Sequence, residues 1–111
     1  MSNSLGQKLV RMHVQEEVSV RIGGDKYIGN IIEINRKKCD LVSGFMEEGY
    51  IEIYLNLHPE TVNRLGLSTE CLKISATEDT PNDFASPIAS LYDATGEQLT
   101  NQLGEVTEIN S

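Results

Sequence analysis

Side chains that could do chemistry are few in this chain: two histidines, His13 and His58, and two cysteines, Cys39 and Cys71. A metal site needs several His, Cys or carboxylate groups converging, and no two of these stand at ligand spacing. The cysteines form no CxxC, and a small disulfide scaffold would carry more of them, so both read as buried thiols in strands. His13 lies ahead of the first strand, and His58 directly precedes Pro59. That place suits a helix cap or an exposed ring better than a general base. The carboxylate pairs Glu16-Glu17 and Glu47-Glu48 are adjacent in sequence. Neighbours on a strand point to opposite faces, so neither pair is placed for acid/base work. No nucleophile elbow, phosphate loop, dinucleotide fingerprint or zincin motif is present. The expectation is a protein that is not an enzyme and that holds no metal and no cofactor.

What remains is charge. The chain of 111 residues carries a net charge of −8, unevenly spread. All nine bases lie in residues 1–75 with ten acids, whereas residues 76–111 hold seven acids and no base. Binding to nucleic acid draws on bases that neutralise phosphates, so this balance argues against a nucleic-acid partner. The one local positive feature is Arg36-Lys37-Lys38, which with Asn35 reads as a polar turn able to touch a phosphate or an acidic partner.

The elements that must position these residues follow from apolar spacing. With no Trp, four Tyr and two Phe, the core must be aliphatic. Leu5, Leu9 and Met12 share one face of a short helix or arm over residues 4–12. Val18, Val20 and Ile22 alternate with polar residues, which predicts a half-buried strand. Gly23-Gly24-Asp25 predicts a tight turn and 27–34 its return strand, with Gly29 marking a bulge or sharp bend. A third short strand is expected at 39–42, and a turn at 46–49. The strictest alternation is at 50–57, with Ile51, Ile53, Leu55 and Leu57 inward and Glu52, Tyr54 and Asn56 outward. Pro59, Glu60 and Gly66 bracket one short helix over 59–65. A strand follows at 70–76, with Leu72 and Ile74 on one face and Cys71 and Lys73 on the other. Residues 87–100 read as a hairpin about Asp93–Gly96, and 103–109 alternate once more. The alternative for everything after 77 is an acidic tail. The fold class expected is mainly β: a small antiparallel barrel with one short helix and a C-terminal hairpin or tail. The barrel body would span 1–76, and the acidic segment 77–111 would pack on the same domain.

Two families share parts of this pattern. The stretch GGDKYIGNIIEI, the residues Glu33, Asn35 and Lys38 followed by Cys39 and Leu41, and the strand EEGYIEIYLNL resemble the PilZ domain over roughly residues 14–76. That resemblance implies a six-stranded barrel which in many members binds cyclic di-GMP. The family's motif there runs Asp-x-Ser-x-x-Gly, and this chain departs from it at all three positions, with Lys38 in place of the glycine. Its two-arginine arm would lie ahead of the first strand, where this chain offers Lys8 and Arg11, with Glu16 and Glu17 just after. Arginine's planar fork pairs with phosphate and stacks on guanine, which one arginine serves less well. The second resemblance is to Sm-like proteins, since Gly24, Gly29, Ile31 and Asn35 fit their spacing. It implies an oligomeric RNA-binding ring, yet Arg64-Leu65-Gly66 is the nearest approach to the second RNA motif.

These readings converge on a non-enzymatic binding module, acting on a protein partner through a PilZ-like barrel that does not bind cyclic di-GMP strongly. An oligomeric Sm-like RNA-binding protein is the alternative. Candidate ligand-binding residues are Arg11, Asn35, Arg36, Lys37 and Lys38. Candidate interface residues are Glu52, Tyr54 and Asn56, on the supposition that 50–57 is an edge strand able to pair across a two-fold axis into a homodimer. The N-terminal MSNSLGQKLV has no apolar h-region, and no apolar run approaches ~18 residues. The location expected is therefore cytoplasmic, with no membrane partner.

Overall fold

The computed structural model describes residues 5–39, 48–77, 87–99 and 103–111. Six strands close an antiparallel barrel in sequence order: β1 (Glu17–Ile22), β2 (Asp25–Cys39), β3 (Glu48–Leu57), β4 (Cys71–Thr77), β5 (Ile88–Tyr92) and β6 (Gly104–Asn110). Helix α1 (Leu5–Val10) precedes the barrel, and α2 (Pro59–Leu65) joins β3 to β4. No helix among the described residues is long and apolar enough to cross a membrane.

The alternation read from the sequence is the alternation of the barrel wall. Val18, Val20, Ile22, Ile51, Ile53, Leu55, Leu57, Leu72 and Ile74 are all buried inside it. Gly23 and Gly24 both have positive φ, 58° and 90°, which gives β1 and β2 a two-residue turn twisted the same way as the strands. Asp25 already pairs with Ile22 and so belongs to β2. Strands β5 and β6 are staves of the barrel, since β5 pairs with β4 and β6 pairs with β1. After Tyr92 the chain turns on Asp93, whose carboxylate accepts from the Thr95 hydroxyl and from the Thr95 and Glu97 amides. These bonds, the Thr95 hydroxyl foremost, hold the Asp93 pKa below its ordinary value. The return makes one bridge, Tyr92 with Gln98, and one bond from Leu99 N–H to Leu91 O, so the expected hairpin has a single regular arm.

The two helices serve opposite ends. Leu9 and Met12 are buried, and α1 packs on β3 and β6 where β1 begins and β6 ends. Helix α2 sits by the start of β2. His58 N–H donates to Ile28 O, Ile28 N–H donates to Thr61 Oγ1, and an Arg64 guanidinium N–H donates to Lys26 O. Helix α2 therefore occupies backbone groups of β2 that β3, ending at Leu57, does not reach.

Three expectations need correction. Residues 35–38 are not a turn: β2 runs unbroken from Asp25 to Cys39 and pairs with β3 from Gly29 to its end. Cys39 is thus the last residue of β2 rather than the first of a new strand; 40–42, and 46 and 47 of the turn placed at 46–49, lie outside the described residues, while Glu48 and Gly49 already belong to β3. Gly29 is not the bulge. The ladder passes through it in register, and the shift falls between Ile31 and Glu33, with Ile32 as the extra residue. Nor is 50–57 an edge, because β3 is bonded to β2 on one side and to β4 on the other.

Candidate binding site

The barrel interior is filled with aliphatic side chains, so recognition falls to its surface, where four features stand out. The first is the mouth beside α1. Lys8, Arg11, Met12, Glu16, Ile109, Asn110 and Ser111 line a cavity of about 290 Å³. Two bases against one carboxylate make this a place for a small anionic group, with the Arg11 fork as the directional donor. Asn35 and Arg36 are not among the described residues that line it. Of the expected ligand residues, Arg11 lines the mouth, and Asn35, Arg36, Lys37 and Lys38 are residues of β2.

The second is the upper part of β2. Strand β1 accompanies β2 only as far as Asn30, after which Ile31 exchanges backbone bonds with Gln15 and Glu16. Beyond Ile31, no strand among the described residues pairs with β2 on the β1 side. Residues 33–39 therefore form an overhang that, among the described strands, is paired with β3. The fourteen steps between its fifteen residues, at ~3.3 Å each, give β2 a contour length of about 46 Å. At the foot of the overhang Ile32 is 53% exposed. Asn35 donates through Nδ2 to Glu33 Oε2 at 2.8 Å, which places both on the same face. Arg36 is exposed, and Lys37 and Lys38 hold register positions opposite Tyr50 and Gly49.

The third lies on the outer wall of β3, β4 and β5. Lys73 Nζ stands 3.5 Å from Glu52 Oε2 and 4.6 Å from the Tyr92 ring centroid, while Tyr54 meets Tyr92 edge to face at 6.2 Å. Tyr92 in turn donates its hydroxyl to Gln98 Oε1. Glu52 and Lys73 side chains are only 13% and 18% exposed. Burial alone would lower the Lys73 pKa, but contact with Tyr92 and the Glu52 charge outweigh it, and the pKa is raised. Tyr54 is also raised, by burial first and then by Glu52. Glu52 and Tyr54 are thus tied into a wall cluster, while Asn56 is exposed on the same strand. Lys73 and Tyr92 went unnoticed in the sequence because only the β4–β5 pairing brings them together.

The fourth is His58. Its side chain does not cap α2. Nε2 lies 2.9 Å from Asn30 Oδ1 and 3.4 Å from Glu17 Oε2, and Asn30 Nδ2 donates to Gln15 O. With two acceptors at Nε2, that nitrogen carries a proton, and the ring ties the α2 start to β1 and β2. Among the described residues no three His, Cys, Asp or Glu side chains converge as a metal site would require.

Compared with known proteins, the chain matches no family model, no curated protein and no solved structure.

Proposed function

We propose that this chain is a non-enzymatic, cytoplasmic binding module that recognises protein through the β2 overhang, on a PilZ-like barrel that does not bind cyclic di-GMP strongly. The observation that carries this reading is the overhang itself. Among the described residues no strand pairs with β2 on the β1 side beyond Ile31, and a strand edge of that kind is a place where a partner's strand can add. Six antiparallel staves are consistent with the PilZ resemblance. Weak nucleotide binding is supported by Glu33 and Asn35 not being among the described residues that line the Arg11 cavity.

The test is a photo-crosslinking residue placed at Asn35 on the overhang, with a control at exposed Asn63 on α2 near the other end of β2. Discrete protein adducts from position 35, without the same adducts from position 63, support the reading. Equal labelling from both positions, or none from 35, overturns it. A calorimetric titration of the purified chain with cyclic di-GMP should show no saturable heat at micromolar ligand.

A further inference from the structure

We infer that the mouth beside α1 is a binding site for a small organic carboxylate with a short apolar tail. The site is independent of the β2 edge: its described lining comes from α1 and the segment that follows it and from the end of β6.

The two cations of this cavity are uncommitted. Among the described residues, neither the Lys8 ammonium nor the Arg11 guanidinium meets a carboxylate or a carbonyl oxygen. The acid beside them is engaged, since Glu16 Oε1 accepts from the His13 N–H at 3.0 Å. In a chain where 17 acids outnumber nine bases, two neighbouring bases without a partner do not reflect a shortage of carboxylates. The described lining side chains, Lys8 and Arg11 against Glu16, sum to one positive charge. A carboxylate, with one negative charge, balances that sum, whereas a phosphate monoester carries about −1.5 to −2 at pH 7 and overshoots it. The Arg11 fork adds geometry, because its planar N–H groups can meet a carboxylate through two parallel bonds, and Lys8 adds a point charge.

The rest of the lining sets the other end of the ligand. Met12 and Ile109 are 5% and 1% exposed, and both border the cavity. Apolar surface next to two cations suits a molecule with an anionic head and an apolar body; a bare inorganic anion would leave that surface against water. Volume limits the body. Sites that enclose drug-sized molecules run from about 300 to 1,000 Å³. At about 290 Å³ this one stands at the foot of that range, which suits a short-chain acid and is too small to enclose a cyclic dinucleotide.

The test is a titration of the full, isotopically labelled chain with sodium hexanoate at low salt, followed by amide shifts in nuclear magnetic resonance. Saturable shifts are expected at Lys8, Arg11, Ile109 and Asn110, with a dissociation constant of about 1 mM. Hexanol, which lacks the charge, and inorganic phosphate, which lacks the tail, should each bind at least several-fold more weakly. R11Q and K8Q should each weaken hexanoate binding about three- to tenfold, and E16Q, which removes the opposing charge, should tighten it by a similar factor. K26Q, an exposed base on the α2 side, should bind as the wild type does. Circular dichroism checks that each variant is folded, and E16Q keeps the outcome decisive if R11Q is not. No saturation by about 10 mM hexanoate overturns the inference. So does hexanol or phosphate binding as tightly as hexanoate, shifts centred away from α1 and the end of β6, or an affinity indifferent to R11Q, K8Q and E16Q.

Discussion

Gly29 is the position where the barrel tolerates least. A Cβ built there would lie 2.6 Å from Asn56 O, 2.9 Å from Leu57 Cα and 3.0 Å from Asn56 C. All three are backbone atoms of β3, so no side chain can rotate away. Replacing Gly29 with Ala would force β2 and β3 apart by about 0.8 Å to restore an ordinary contact. That movement falls where the ladder also carries Val18 on the β1 side and where α2 begins at the end of β3. Overpacking of this kind costs ~1–3 kcal/mol, and stretching neighbouring ladder bonds adds ~1 kcal/mol. The alanine returns ~0.5 kcal/mol by restricting the unfolded chain. The expected net loss for G29A is about 2–3 kcal/mol. Gly24 is the control: a Cβ there meets nothing within 4 Å, although φ is +90°. G24A therefore carries only the left-handed backbone penalty, about 1 kcal/mol. Urea unfolding of both variants, followed by far-ultraviolet circular dichroism, measures the two costs side by side. If G29A is no less stable than G24A, the close approach of the two strands is not what requires glycine there.

Alkaline pH should destabilise the fold through three groups that hold their protons more tightly when folded. Tyr27 is raised by burial and then by Asp25, Tyr54 by burial and then by Glu52, and Lys73 by its Tyr92 and Glu52 contacts against the opposing effect of burial. For a raised pKa the contribution is full below the unfolded values of 10.0 and 10.5 and is lost as pH rises through the folded ones. The urea midpoint should therefore fall between pH 9 and pH 11, and by less in Y54F; an equal fall in both would refute the assignment to Tyr54. At the α2 junction Thr61 is 2% exposed and its Oγ1 accepts from Ile28 N–H at 3.3 Å. T61V should cost about 1–2 kcal/mol by leaving that donor buried without an acceptor, and T61S should retain the bond; a T61V midpoint equal to wild type would show that the contact contributes nothing.

What the sequence made legible was whatever one face of the wall records. Alternation at 18–22, 50–57 and 70–76 placed the inward residues correctly, because a strand with one dry face and one wet face must write that difference at every second position. Pro59 and Gly66 bracketed α2 for reasons equally local, an N-terminal proline and a left-handed C-cap. The overhang was illegible for the converse reason. Asn35-Arg36-Lys37-Lys38 is polar at every position, so it carries no apolar period and by composition alone resembles a turn. Only the continuous register with β3 makes it a strand. The bulge hid as well, since Ile31-Ile32 offers two apolar candidates for one inward place, and the exposed Ile32 is the one that loses. Edge status was beyond alternation altogether: 50–57 reads the same whether or not β4 returns beside it, and β4 does so only because α2 reverses the chain. Among the described strands, β3 has a neighbour on both sides, and it is the part of β2 beyond Ile31 that pairs with β3 and not with β1.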